Sequence, residues 1–237
     1  MSSITWIFNE LLYRPLFNGL IFLYNNITWH DFGLAIILLT ILIRLVLYPL
    51  NQKAIKSQKA LSELSPQIKV VQDRHKDDKV KQSQALMDIY KANKINPASG
   101  CLPMLIQLPI LIALYRVFWN GLKPESLSSL YSFIARPEFI NPLFLNFLDL
   151  SKSNYIMAIL AGLFTFWQSK MMTSLQPPSS GSGDFASAMS KQMTYLMPLM
   201  TVFIAWNLPA GLTLYWVVIT LLGIGQQYLV MRKKDGE

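Results

Sequence analysis

Charge, thiols and imidazoles are all scarce in this sequence. Charged residues make up 14% of its 237 positions, where an ordinary soluble domain carries roughly 25%. That deficit excludes a water-soluble enzyme of this size. The single cysteine, Cys101, rules out an internal disulfide, and two histidines, His30 and His75, leave too few ligands for a protein-built zinc centre. The H-E-x-x-H, C-x-x-C, G-x-S-x-G and P-loop patterns are missing, and Gly181-Ser182-Gly183 belongs to a Pro/Ser/Gly-rich linker. Neither catalysis nor a metal or cofactor is therefore expected. The apolar N-terminus has no basic leader segment and no Arg-rich transit pattern, so an uncleaved chain in a bacterial plasma (inner) membrane is expected.

What is present is apolar and basic. Hydrophobic residues make up 52%, and 21 Lys+Arg stand against 13 Asp+Glu for a net charge of +8. A membrane-crossing helix needs roughly 20 mainly apolar residues. Candidate spans run over 33–50, 101–120, 154–172, 194–207 and 212–231, the last two joined by a tight turn at 208–211. Fifteen Lys/Arg fall on one side of these spans, ten of them within 51–100, and four on the other. Lys and Arg are retained on the cytoplasmic side. The expected fold is therefore an all-α polytopic, multi-pass membrane protein with five transmembrane helices, N-out/C-in, and a cytoplasmic helical hairpin.

The remaining segments follow from their periodicity. Within 1–32, Glu10, Arg14, Asn18 and Asn25 share one helical face while Ile7, Phe8, Leu11, Leu12, Leu16 and Phe17 occupy the rest. This is the pattern of an amphipathic helix lying on the outer leaflet, interrupted near Pro15. In 51–100, Ile55, Leu61, Leu64, Ile68 and Val71, then Val80, Leu86, Ile89 and Tyr90, recur at helical spacing on either side of a polar run at 73–79. Two helices facing one another are expected there. The Pro- and aromatic-rich loop 121–153 reads as short interfacial helices, 173–193 as a flexible cytoplasmic linker and 232–237 as a cytoplasmic tail.

Arg44 is the most informative residue. It stands six positions before the end of the first span, ~9 Å deep at 1.5 Å per residue, and no Asp or Glu lies in any candidate span to pair with it. A central arginine costs about 2.5–3.5 kcal/mol on insertion scales, so a hydrated cavity open to the cytoplasm is the economical inference; snorkelling to inner-leaflet phosphates is the alternative. Gln107 lies at a similar depth on the second span. Gln168, Thr40, Thr165, Thr201 and Thr220 add milder polar positions, whereas Gln226 and Gln227 fit either the cavity or the head-group level. Arg116, at the outer end of the second span, reads as a snorkelling anchor. A small anion transporter or channel built on Arg44 is a second reading, against which stands the lack of an internal inverted repeat.

Three stretches together carry a family resemblance. Thr40-Ile41-Leu42-Ile43-Arg44-Leu45-Val46-Leu47-Tyr48-Pro49-Leu50 resembles the first core span of the YidC/Oxa/Alb membrane protein insertases. Residues 96–110, with Pro97, Pro103, Gln107 and Pro109, are similar to that family's second-span entry, and Leu208-Pro209-Ala210-Gly211 through Tyr215-Trp216 and Gln226-Gln227 to its last hairpin. The likeness covers about 5–232. A large domain before the first span and a long basic C-terminal tail, features of other members, are not in this sequence, which implies the short, Gram-positive-like form. The resemblance implies a groove around Arg44 that receives nascent membrane proteins, with Tyr215 and Trp216 facing either the substrate path or lipid. It implies recruitment through Lys53, Lys56, Lys59, Lys69, Arg74 and Lys76 on the hairpin. The implied partners are small acidic-tailed clients such as ATP-synthase subunit c, the ribosome, a Sec-type translocase and anionic lipids.

Overall fold

A computed structural model describes residues 3–96, 102–120, 124–173 and 192–232. The chain starts with α1 (Ser3–Phe8) and α2 (Arg14–Asn26), joined by a π-helical stretch at Asn9–Tyr13. In that stretch the Arg14 N–H reaches back five residues to the Asn9 carbonyl. The widened turn carries the helix past Pro15, which has no N–H to donate. Phe17, Leu20, Ile21 and Tyr24 of α2 are buried in the apolar core, and polar residues of the same helix are tied to the later loop. Asn18 is 2% exposed; its Nδ2 donates to the carbonyls of Arg14 at 2.8 Å and Ser129 at 3.1 Å, and its Oδ1 accepts from Tyr131 N–H at 2.7 Å. Asn25 donates to Ala135 O at 2.8 Å. Loop backbone groups, which need partners wherever they are packed, thus take the place expected for water, while Leu11 on the apolar side is 70% exposed.

Trp29 and His30, both with left-handed φ, reverse the chain, and Asp31 caps α3 (Phe32–Val46) by accepting from Leu34 N–H at 2.9 Å. The apolar run expected as one straight span over 33–50 bends instead. α4 (Tyr48–Glu63) leaves α3 at 63°. Pro49 in the first turn of α4 withdraws the N–H that α3 would need to continue, yet suits a helix start. α5 (Ser65–Arg74) begins with Pro66, and α6 (Lys79–Ala92) is capped by Asp78, which accepts from Lys81 N–H at 3.0 Å. α5 and α6 pack on each other, with Gln82 Nε2 donating across to Gln72 O at 2.9 Å.

α7 (Leu102–Asn120) runs through Pro109. The segment that follows holds a two-turn 3-10 helix at Pro124–Ser129 and a two-stranded hairpin, β1 (Leu143–Phe144) with β2 (Leu148–Asp149). The short interfacial helices expected for 121–153 are otherwise absent among the described residues. Pro137 and Pro142 remove donors that helices would need, and Leu145 and Asn146 close the hairpin with φ of 48° and 63°. α8 (Tyr155–Thr173) precedes α9 (Met197–Trp206), which is led by a π-helical turn at Gln192–Leu196.

α10 (Ala210–Arg232) is the axis of the molecule and touches α3, α4, α7, α8 and α9. Among the described residues it is the one helix that is by itself long and apolar enough to cross a membrane; α3 and α4 pass the same test only as a bent pair. At 23 residues it measures ~35 Å. An apolar core joins α2, α3, α7 and the start of α10 through Leu20, Ile36, Leu114, Phe118 and Leu212. There Gly211 lets α10 approach closely: a Cβ on it would lie 3.1 Å from Phe118.

Candidate functional site

Beyond that core, the polar residues of the apolar helices converge on the later turns of α10. Thr220, Gly223 and Gln227 recur at spacings of three and four on its buried side. Gly223 is the point of closest approach: a Cβ there would fall on Nε2 of Gln168, from α8, and 3.3 Å from Nη2 of Arg44, from α3. The missing side chain is what allows an amide and a guanidinium from two other helices to meet at α10.

Arg44 lies in the last turn of α3, where unsatisfied carbonyls favour a cation. The straight-helix depth expected for it therefore does not apply, because the chain turns at Leu47. No Asp or Glu occurs in α3, α7, α8, α9 or α10. Arg44 Nε is buried without a hydrogen-bond partner, and so are Thr165 Oγ1, Gln226 Oε1 and Gln227 Nε2. Leaving such an atom dry costs roughly 1–3 kcal/mol. A set of them on α3, α8 and α10 marks a place where water or a polar segment of another chain is needed.

The other expected groove residues divide by what they touch. Thr40, one turn before Arg44, is fully buried and donates to Ile36 O at 2.6 Å, so its hydroxyl is used within its own helix. Thr201 does the same, donating to Met197 O at 3.0 Å. Thr220 is 4% exposed. Gln107 Nε2 donates to the Tyr215 hydroxyl and ties α7 to α10. Tyr215, expected on a substrate path or facing lipid, is 2% exposed and acts as an inner strut; Trp216 is half-buried beside it. The strut starts eight residues before Gly223, ~12 Å along α10, and its hydroxyl end interacts electrostatically with Arg44, so Gln107 and Tyr215 border the same polar region. Gln226 and Gln227 are buried within the protein, at 5% and 2% exposure. Gln226 Nε2 donates to Tyr48 O at 3.1 Å and pins α10 to the α3–α4 elbow.

The hairpin cations stand apart from this cluster. Lys53 and Lys56 on α4, Lys69 and Arg74 on α5 and Lys76 in the following turn are exposed, and Lys59 is half-buried. Lys76 lies 3.4 Å from the Asp73 carboxylate. Gly223 is the member of the polar region that a search for polar spans passes over. Gly223 has no polar atom, although its spacing from Thr220 and Gln227 places it on their face. Cys101, most of the linker expected at 173–193 and most of the tail expected at 232–237 lie outside the described residues.

Comparison with known proteins gives one consistent result. The family described as 60Kd inner membrane protein matches residues 22–237. Similar proteins include the membrane protein insertase YidC of Fusobacterium nucleatum, 35% identical over 224 residues that cover 94% of this chain and 98% of that protein. The membrane protein insertase YidC of Leptospira interrogans is 34% identical over 242 residues, and there the chain spans 37% of the relative's length. A solved structure described as an active YidC insertase with its first transmembrane domain resolved matches with a TM-score of 0.61 at 29% identity, covering 94% of this chain and 47% of that one.

Proposed function

This chain belongs to the YidC/Oxa/Alb family, and from that premise we propose that it is a membrane protein insertase whose working site is the polar region around Arg44, Gln168 and Gly223. The carrying observation is a single one. A guanidinium with a buried, unpartnered Nε meets α10 in a bundle whose apolar helices contain no carboxylate. Such a group is a poor structural element and a good receptor for an acidic segment that arrives from outside the fold. Charge-assisted hydrogen bonds are roughly twice as strong as neutral ones, and here one end waits unpaired.

In this reading a nascent membrane protein enters from the cytoplasm. Arg44 holds acidic residues of the tail to be translocated; Gln168, Thr165 and Gln227 keep it hydrated, and the client's apolar segment moves into lipid. Crossing is eased where the protein is thin. α9 with its leading π turn has ten and five residues, ~22 Å of helix, against a hydrocarbon core of about 30 Å, a mismatch that thins the bilayer locally. Five crossings, by α3 with its elbow, α7, α8, α9 and α10, with the N-terminus outside and the C-terminus inside a bacterial inner membrane, fit the uneven placement of Lys and Arg. The exposed cations of α4 and α5 would recruit ribosomes, clients or anionic inner-leaflet lipids. Small acidic-tailed proteins such as ATP-synthase subunit c fit as clients, alone or with a Sec-type translocase.

The test is reconstitution of the purified chain into liposomes with a ribosome-synthesised single-span client. Protease protection of the translocated tail is compared for wild type, Arg44→Lys and Arg44→Ala. Insertion above empty liposomes, kept by Lys and lost by Ala, is expected. Wild-type vesicles that give no insertion but pass anions would replace the reading with a transporter.

A further inference from the structure

Nine residues along α7 from Gln107, ~13 Å of helix, a cleft of about 520 Å³ opens between the N-terminal helix, α7 and the segment that follows α7. Two of its charges cancel. Arg14 Nη1 donates to both carboxylate oxygens of Glu10, at 2.7 and 3.0 Å. Arg116 is different. It is exposed on the cleft wall, and no carboxylate among the described residues pairs with it. Its contacts are a neutral amide, with Nη1 donating to Asn9 Oδ1 at 3.3 Å, and the Phe8 ring, 5.0 Å from the guanidinium carbon.

The cleft thus holds one uncompensated positive charge, oriented by an amide and a ring, on a planar group whose donor fork suits phosphate. The lining is otherwise polar, with Asn9, Tyr13, Ser128 and Ser129, apart from Trp6, and exposed apolar side chains flank Arg116 along α7. Ile112 and Trp119, one turn either side of Arg116 on α7, are 49% and 54% exposed, and Trp6, which lines the cleft, is 61% exposed. A free anion has no use for such a rim. A molecule with an anionic head and hydrocarbon chains uses both parts.

We propose that this cleft binds the phosphate of an outer-leaflet anionic phospholipid through Arg116, with the acyl chains along Ile112, Trp119 and Trp6. The leaflet rests on the orientation given under the proposed function; the site itself does not. The bound lipid would fasten α1 to α7 beside the membrane surface.

The test titrates the purified full chain, in neutral detergent, with short-chain phosphatidylglycerol and counts bound lipid by native mass spectrometry. Arg116→Gln, which keeps a donor for Asn9, should weaken binding about tenfold, in line with the loss of a charge-assisted hydrogen bond, and Arg116→Lys should weaken it less. Arg44→Gln should leave it unchanged, and inorganic phosphate should not compete. Equal binding by Arg116→Gln, loss in Arg44→Gln, or full competition by inorganic phosphate would each overturn the proposal. Because binding in detergent does not depend on orientation or insertion, failure of the insertase reading leaves this result standing. The leaflet is then read from vesicles with phosphatidylglycerol on one side only: Arg116-dependent thermal protection is expected with lipid on the N-terminal side, and protection solely from the opposite side would refute the outer-leaflet assignment.

Discussion

Gly223→Ala separates folding from function in one substitution. In a helix interior, alanine is favoured over glycine by roughly 0.8–1 kcal/mol. Against this, the new methyl collides with Nε2 of Gln168 and lies 3.3 Å from Nη2 of Arg44. Both are the ends of long side chains, and moving them off their preferred torsions costs ~0.5–1.5 kcal/mol. The two effects nearly offset, so the thermal midpoint in detergent should stay close to that of wild type. Function should not stay. The amide and guanidinium are pushed away from α10, and a client carboxylate loses a charge-assisted hydrogen bond of about 1.5–3 kcal/mol, tenfold or more in insertion. Gly225→Ala is the matched control, since a Cβ there meets nothing within 4 Å. The assay is protease protection of the translocated tail at equal protein, read beside the melting curve. A Gly223→Ala protein that folds and inserts like wild type and like Gly225→Ala would refute the placement of the site at this helix crossing.

Three further outcomes follow from the geometry. Tyr215→Phe strands the Gln107 amide and should cost about 1–3 kcal/mol of stability; adding Gln107→Leu should recover part of it, and strict additivity in the double-mutant cycle would show that the pair does not couple. Asp31→Ala removes both the α3 cap and an acceptor for Leu145 N–H at 2.7 Å; a loss near 2 kcal/mol is expected, and Asp31→Asn should recover most of it. The Asp149 carboxyl is held below its ordinary range by the Ser151 hydroxyl and by Lys152. Its contribution is present above the unfolded value of about 3.9 and is lost as pH falls through the lower folded value. Hydrogen exchange at Ala210 and Gly211, whose amides bond to Lys152 O and Leu150 O, should therefore quicken only in that acid window, and acceleration at neutral pH would contradict it.

Much of the candidate site was legible because polarity is conspicuous in apolar runs. Arg44, Gln107 and Gln168 stood out for that reason, and two of them do meet at one crossing. Gly223 did not, since its role is to leave space. Tyr215 looked like a surface aromatic because sequence cannot tell which side of an apolar helix faces protein; only packing against α7 shows that its hydroxyl has a partner. The elbow at Leu47 was hidden by continuous hydrophobicity through residue 50, although Pro49 marked it. Along α2 the apolar period leads Phe17, Leu20 and Ile21 into the core, while the partners of the polar residues are not local. The polar face is satisfied by loop backbone more than a hundred residues away, a long-range partnership that no local pattern encodes.

The most direct test of the central claim is to trap the client in the act. An acidic-tailed client carrying a photoreactive residue in its tail is stalled on the ribosome during insertion into proteoliposomes, and the cross-linked position on this chain is mapped by mass spectrometry. Adducts at Arg44, Gln168 and the Thr220–Gln227 face of α10 are predicted. Adducts confined to the outward apolar face of α9, at Leu199, Phe203 and Trp206, with none on the polar cluster, would contradict the account.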